Sequence, residues 1–188
     1  RISTGELELL RENTDRFTGW IFDNNDQLRL ATRAANNGDT EVLRVDKDGF
    51  TQIYTCDVLE TCAPVRFHKD NKRVYMQSNK GADQDLIALF LMDPATQKVE
   101  MVEQDPEGRV DFGNAFFSEV SKELLGTSYT DDRRRRYWKD KAIAKDYKWL
   151  QKKLPGKTIG FGSATADENF WLISANGDTD PGATYLYD

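Results

Sequence analysis

The residues of this chain that could do chemistry are few and far apart. His68 is the one histidine, and serine or cysteine triads and most catalytic metal sites draw on histidine. It follows an apolar strand pattern, which predicts a surface position at the end of a strand rather than a role as a ligand. The sequence therefore predicts no catalytic, metal-binding or cofactor-binding residue.

The two cysteines, Cys56 and Cys62, are separated by five residues. A disulfide between them would close a short loop and stabilise the fold by roughly 2 kcal/mol on the chain-entropy estimate. Two unpaired thiols packed under a loop are the alternative. A zinc site with His68 lacks a fourth ligand of the right type nearby. The pair is thus a possible disulfide.

Three short motifs resemble known sites but are incomplete. Gly156-Lys157-Thr158 ends like a phosphate-binding loop, but Gln151 stands where the first glycine is required. Ser163 is not in a nucleophile elbow, because Thr165 occupies a position that needs glycine. Asp178-Thr179-Asp180 lacks the remainder of a calcium loop. We interpret all three as turn or loop sequence.

A basic segment runs from Arg133 to Lys157. It contains eleven Lys or Arg and two acidic residues, a net charge of +9 in a chain whose total is −6. It lacks the aromatic or glycine pattern of an RNA-binding module, so we expect no nucleic-acid partner. A solvated face that docks on an acidic neighbour explains the charge better. The possible docking face consists of Arg133, Arg134, Arg135, Arg136, Lys141, Lys145 and Lys148.

These residues must be positioned by a repeating unit. A short apolar or aromatic cluster is followed directly by an aspartate four times in the sequence, at Asp46, Asp93, Asp140 and Asp188. The intervals are 47, 47 and 48 residues. A period of this length with four strands per unit is typical of β-propeller blades. The predicted fold class is all-β: residues 1–188 form a propeller fragment of about four antiparallel, four-stranded blades, with repeats ending near 46, 93, 140 and 188.

The clearest repeat is Pro64–Glu103, in which four short apolar runs alternate with turn residues. Its last run aligns with Ser3–Leu10, which predicts that the chain opens with the fourth strand of an earlier repeat. The final repeat is expected to stop at Asp188 after three strands. Aromatic residues near the blade cores are predicted on the first strands, at Trp20, Phe67, Phe116 and Phe161.

One stretch reads as a helix. After Asp140, a plausible N-cap, Ile143, Tyr147 and Leu150 recur on one helical face, and Pro155-Gly156 ends the pattern. We predict a helix over about 140–154 that replaces the turn before the fourth strand of the third repeat. No apolar run approaches the length needed to cross a bilayer, so no membrane partner is expected.

Three stretches carry a family resemblance: the blade Val65–Asn79, the helix end Leu154-Pro155-Gly156-Lys157, and the ending Ser174–Asp188 with its Asp180-Pro181-Gly182 and Tyr185-Leu186-Tyr187-Asp188. They resemble the propeller of bacterial prolyl oligopeptidase-type serine peptidases, the S9 family. The likeness is closest to members called dipeptidyl or acylaminoacyl peptidase-like.

The resemblance implies that this chain is a non-catalytic propeller segment. Its partner would be an α/β-hydrolase domain of the same parent chain that holds the catalytic serine, aspartate and histidine, none of which maps onto a residue here. In that family the propeller caps the active site and admits short peptides by size. The resemblance also favours a periplasmic or secreted parent over a cytoplasmic one, and an oxidising compartment would retain a Cys56–Cys62 bridge.

A second interpretation is a stand-alone propeller of the TolB type that acts as a protein-interaction scaffold. The strand pattern by itself fits many propellers. A reading frame that ends near Asp188 would favour this alternative.

Overall fold

The computed structural model describes residues 3–9 and 11–188, which form an all-β structure with one helix. Four separate sheets of three or four antiparallel strands follow one another along the chain, as expected for a propeller fragment. Each strand pairs with its neighbour in sequence. The chain divides into two compact units, Arg1–Pro106 and Glu107–Asp188.

The first unit contains two four-stranded meanders, and the repeat predicted over Pro64–Glu103 is the second of them. The first sheet consists of β1 (Phe17–Phe22), β2 (Leu28–Ala34), β3 (Thr40–Asp46) and β4 (Gly49–Cys56). The second consists of β5 (Cys62–Phe67), β6 (Val74–Ser78), β7 (Ala88–Met92) and β8 (Val99–Glu103).

The core of the first unit lies between these two sheets. Leu30 and Val42 of the first sheet pack with Phe67, Val74 and Met76 of the second, and all five are almost completely buried. Alternation along each strand sends these side chains to one face. Burying both inner faces removes apolar surface from water that a single sheet would leave exposed.

The second unit contains two three-stranded sheets and the helix. The strands are β9 (Asn114–Phe117), β10 (Leu124–Thr130) and β11 (Arg134–Trp138), then β12 (Thr158–Ala164), β13 (Trp171–Gly177) and β14 (Asp180–Tyr187). Helix α1 (Lys141–Lys153) joins the two sheets. Leu150 from α1 packs with Ile159, Trp171 and Ile173 to form the core of this unit.

The predicted helix is confirmed. Asp140 is its N-cap, with the carboxylate accepting a hydrogen bond from the Ile143 amide at 2.9 Å, and Leu154 is its C-cap. Gly156 takes a positive φ of 74°, which lets the chain turn directly after the helix. The helix differs from the prediction in one respect: no fourth strand of the third sheet follows it, because the next strand, β12, belongs to the last sheet.

The strand predicted over Ser3–Leu10 is wrong for residues 3–9, which form no strand, and Leu10 lies outside the described residues. The side chains of Leu7 and Leu9 are 99% and 81% exposed. A fourth strand needs the free edge of a third strand for pairing, and the first sheet already has four strands of its own.

The four aromatic residues predicted on first strands do lie on β1, β5, β9 and β12. Phe67 is fully buried, whereas Trp20, Phe116 and Phe161 are half-buried and pack against the edges of cores. Of the residues interpreted as turn or loop at Asp178-Thr179-Asp180, the first two form the hairpin turn, because β13 ends at Gly177 and β14 begins at Asp180.

Candidate functional site

The strand β11 divides the four consecutive arginines between its two faces. Arg135 lies on one face, where its Nε is 3.0 Å from Asp131 Oδ2 and its Nη1 is 3.2 Å from Glu107 Oε1. Arg109 contacts the same Asp131 oxygen at 2.6 Å. The charge of Arg135 is therefore neutralised locally, and this residue contributes little to a basic docking face.

The turn that contains Asp131 keeps its carboxylate negatively charged, as the ion pairs with Arg109 and Arg135 require. The amide of Arg133, together with the guanidinium groups of Arg109 and Arg135, holds the pKa of the Asp131 carboxyl below its ordinary value, although burial acts in the opposite direction. The carboxylate of Asp131 is therefore ionised at neutral pH.

Arg134 and Arg136 lie on the other face of β11. Arg136 donates from Nη1 to the hydroxyl of Tyr147 at 2.8 Å, and its guanidinium lies 5.3 Å from the centre of that ring. Within the described part of the chain, neither arginine has a carboxylate partner. Both line two neighbouring cavities of the second unit, of about 140 Å³ and about 570 Å³.

The helix lysines form a separate basic surface. Lys141, Lys145 and Lys148 are exposed and recur at i, i+4 and i+7, so they share one face of α1. Tyr147 and Leu150 lie on the opposite face and pack into the core. The structure thus brings three of the seven predicted docking residues together as a lysine stripe. Arg133 is exposed at the turn before β11.

Cys56 and Cys62 are joined by a disulfide, with Cα atoms 5.9 Å apart. Cys56 ends β4 and Cys62 begins β5, so the bond ties the last strand of the first sheet to the first strand of the second. Both side chains are buried in the core between these sheets. Its formation in the native compartment stays a prediction.

His68 follows β5, but its side chain is only 15% exposed. Its Nδ1 is 3.2 Å from the amide nitrogen of Asp70 and 3.0 Å from Asp70 Oδ2, and its ring lies 5.6 Å from that of Tyr75. Burial acts to raise the pKa of Asp70. Hydrogen bonds from the amides of Arg73 and Lys72 and from the Arg73 guanidinium outweigh it and place this pKa well below its usual range. His68 therefore helps to shape a turn.

The acidic turn after β13 is also engaged in local structure. Asp180 forms an ion pair with Lys157 and accepts a hydrogen bond from the Gly182 amide at 2.7 Å. The hydrogen bond from Lys157, followed by that from Gly182, lowers the pKa of Asp180. Across residues 3–9 and 11–188, no group of three or more His, Cys, Asp or Glu side chains is arranged to hold a metal ion.

Sequence reasoning missed a contact that recurs between the first hairpin turns of neighbouring sheets, which we call the turn latch. In the first unit, the side chain of Asn71 accepts from the Asn24 amide at 2.8 Å and donates to Asp23 Oδ2 at 3.1 Å. In the second unit, Glu168 accepts from the Ser118 hydroxyl at 2.7 Å and from the Glu119 amide at 2.5 Å.

Both latch residues are held in the left-handed region, with φ of 55° at Asn71 and 57° at Glu168. Asparagine is common at such positions, so the turn at Asn71 carries a sequence signal, whereas glutamate carries none. Asp23 also accepts from the amides of Asn25 and Gln27 and from Arg29. Burial acts to raise the pKa of Asp23, but these hydrogen bonds lower it overall.

No helix formed by the described residues is long and apolar enough to cross a membrane. No protein-family profile matches the chain, and no solved structure matches it significantly.

The chain is similar to dipeptidyl aminopeptidase BIII of Pseudoxanthomonas mexicana, with 29% identity over 193 residues. The alignment includes 100% of this chain and 27% of that protein, so the chain spans about a quarter of its relative's length. This similarity relates the chain to a segment of a peptidase.

Proposed function

We propose that this chain is a non-catalytic β-propeller segment of a serine peptidase of the prolyl oligopeptidase type. It would cap an α/β-hydrolase site outside these residues and limit access to short peptides. The observation that carries the proposal is the alignment of the whole chain with 27% of a dipeptidyl aminopeptidase. The run of four antiparallel sheets suits a propeller wall.

Size selection would be steric. The two four-stranded sheets of the first unit are held together by a buried core, a disulfide and a turn latch. The two sheets could separate enough to admit a folded protein only if many contacts broke together. An extended short peptide can pass a narrow opening without such a change. The contribution to catalysis is therefore access rather than chemistry.

The lysine stripe on α1 is the proposed contact with the neighbouring domain. Lys141, Lys145 and Lys148 are exposed on one helical face, and an acidic surface would pair with them. Arg133, which is exposed at the turn before β11, belongs to the same basic segment of the sequence.

The size filter is tested in the longer parent protein. We would compare its turnover of dipeptide and tripeptide substrates, long unstructured peptides and a folded protein with that of a parent lacking residues 1–188. The deletion should keep hydrolysis of the shortest substrates and newly admit the longer ones. A parent whose size selectivity survives the deletion would contradict the gating role.

The docking face has its own test, because a deletion can also unfold the remaining domain. Reversing charge at Lys141, Lys145 and Lys148 together to glutamate should loosen the contact with the hydrolase domain and make the parent more sensitive to proteolysis and to salt. The matched control is the same triple reversal at Lys47, Lys72 and Lys98, which are exposed in the first unit. Equal sensitivity of the two triple variants would rule out the stripe as the docking face.

A further inference from the structure

Arg136 occupies a position where the first repeat buries an aliphatic side chain. β3 and β11 are the third strands of their sheets, and each leads to the repeated aspartate, Asp46 and Asp140. Counting back four residues from each aspartate pairs Arg136 with Val42. Val42 is completely buried in the core between the first two sheets. The blade therefore does not need a charge at this position.

The smaller cavity beside β11 is rich in donors. Arg134, Arg136, Trp138, Thr127 and Ser128 all line it, and none of its lining residues, all within the described part, carries a carboxylate. The indole N–H of Trp138 is buried and makes no hydrogen bond to any described residue. Two arginines without a carboxylate in the lining favour a ligand that supplies acceptors.

The arginines are prepared for such a ligand. Tyr147 holds Arg136 by a hydrogen bond of 2.8 Å and by ring contact, while other N–H groups of its guanidinium remain for a second partner. Their neighbour on the strand, Arg135, is occupied by Asp131 and Glu107. Strand alternation thus separates the structural arginine from the two that face the cavity.

We propose that this cavity of the second unit binds the carboxylate of a short peptide, either an acidic side chain or a C-terminus, through Arg134 and Arg136. A planar guanidinium matches a carboxylate with two parallel hydrogen bonds. The rings of Phe116, Phe161 and Trp138 line the same cavity and lower its exposure to water, which strengthens the attraction between charges. That the carboxylate belongs to a peptide rests on the proposed function, whereas the anion site itself does not.

Binding to the full chain tests this inference directly. The probes are acetyl-Ala-Glu-amide, acetyl-Ala-Ala with a free C-terminus, the neutral acetyl-Ala-Gln-amide, and inorganic phosphate. Calorimetry would give affinities, and the indole resonance of Trp138, assigned with Trp138→Phe, would report on the cavity. The two carboxylate peptides should bind and move this resonance, and the neutral peptide should do neither.

Two variants identify the arginines. Arg136→Gln and Arg134→Gln should each weaken binding of the carboxylate peptides by about tenfold or more, since each loses a charged hydrogen bond. Arg134 is exposed, so its variant remains informative if Arg136→Gln folds poorly. Lys152→Gln removes the same charge from an exposed position on α1 and should leave binding unchanged.

The inference fails if the glutamine peptide binds as tightly as the glutamate peptide, or if neither arginine variant weakens binding. It also fails if phosphate binds more tightly than both peptides, because the site would then take an inorganic anion. A parent that shows no size selectivity while the chain still binds carboxylate peptides through these arginines would overturn the proposed function and leave the site standing.

Discussion

Two side chains in left-handed turn positions, Asn71 and Glu168, join neighbouring sheets inside their own units. Each side chain accepts a hydrogen bond from a backbone amide in the first hairpin turn of the preceding sheet. The donors are the amides of Asn24 and Glu119. A bond between residues 47 or 49 positions apart cannot form unless the two sheets already have their native orientation. We infer that the turn latch sets the angle between sheets as well as adding stability.

Replacing Asn71 separates the bonds of the latch from its backbone conformation. Asn71→Gly keeps the positive φ and loses both hydrogen bonds, so it should lower the free energy of unfolding by about 2 kcal/mol. Asn71→Ala should cost about 1 kcal/mol more, because alanine lacks both the freedom of glycine and the local hydrogen bonding that lets asparagine adopt φ 55°. Urea unfolding followed by circular dichroism would measure both.

The control for this pair is Lys72→Ala, an exposed neighbour whose loss should change stability by less than about 0.5 kcal/mol. A glycine variant as stable as the wild type would show that the hydrogen bonds of the latch do not contribute to the free energy of unfolding. An alanine variant no worse than the glycine variant would remove the argument from backbone strain.

Asp23 should make the first unit sensitive to acid. Its side chain is 3% exposed, and its pKa is lower in the folded chain than in the unfolded chain. Its stabilising effect is therefore fully present above the unfolded pKa of about 4 and is lost as pH falls through the folded value. Asp23→Asn should be less stable than the wild type at pH 7, and the gap should narrow below about pH 4.

Urea midpoints of the two proteins between pH 7 and pH 2.5 would test this, because other carboxyl groups titrate equally in both and cancel in the difference. A gap that stays constant down to pH 2.5 would mean that the folded and unfolded pKa values of Asp23 coincide.

At the scale of elements, α1 takes the place of a fourth strand in the third sheet. The apolar side of α1, with Tyr147 and Leu150, completes the core beside β12 and β13. The helix therefore covers that core without a fourth strand in the third sheet. The exposed side is left free to carry the lysine stripe. One substitution of element type thus gives the second unit both a packed core and a charged surface.

The disulfide is the covalent tie between two elements, β4 and β5. If the parent is exported, we expect thiol labelling of denatured protein without reductant to find no free cysteine at Cys56 or Cys62. Reduction should lower the free energy of unfolding by about 2 kcal/mol, the value for so short a loop.

The matched control is the double variant Cys56→Ala/Cys62→Ala, whose stability should not respond to reductant. Two labelled thiols in protein taken from its native compartment would argue for the cytoplasm. A bridge whose reduction changes nothing would show that the buried contacts between the sheets suffice.

At the scale of the whole molecule, we expect the isolated chain to hydrolyse nothing. Acyl transfer needs a nucleophile, a base and donors for the oxyanion acting together. His68 is the one imidazole in the sequence, and its ring nitrogen lies against Asp70 within a turn. Aminoacyl and acylaminoacyl chromogenic substrates should be untouched by the chain and turned over by the parent.

The contradicting result is turnover by the isolated chain that disappears in His68→Ala. Turnover that persists in that variant would point to a contaminating peptidase.

The sequence alone determined the period, the four sheets and the helix, because these depend on local signals. Short apolar runs bounded by turn residues and the cap at Asp140 act within a few positions of the chain. The same local argument was wrong for residues 3–9, because an apolar pattern forms a strand only when a partner strand lies beside it, and these residues pair with none.

Tertiary structure alone decided which partner each charged side chain contacts. Four consecutive arginines look alike in sequence, yet strand alternation and the positions of Asp131, Glu107 and Tyr147 assign Arg135 to an ion-pair network and Arg136 to a cavity. The turn latch likewise needed the structure, since Glu168 carries no turn signal. Side-chain partners distant in sequence are set by how sheets pack, which no local pattern encodes.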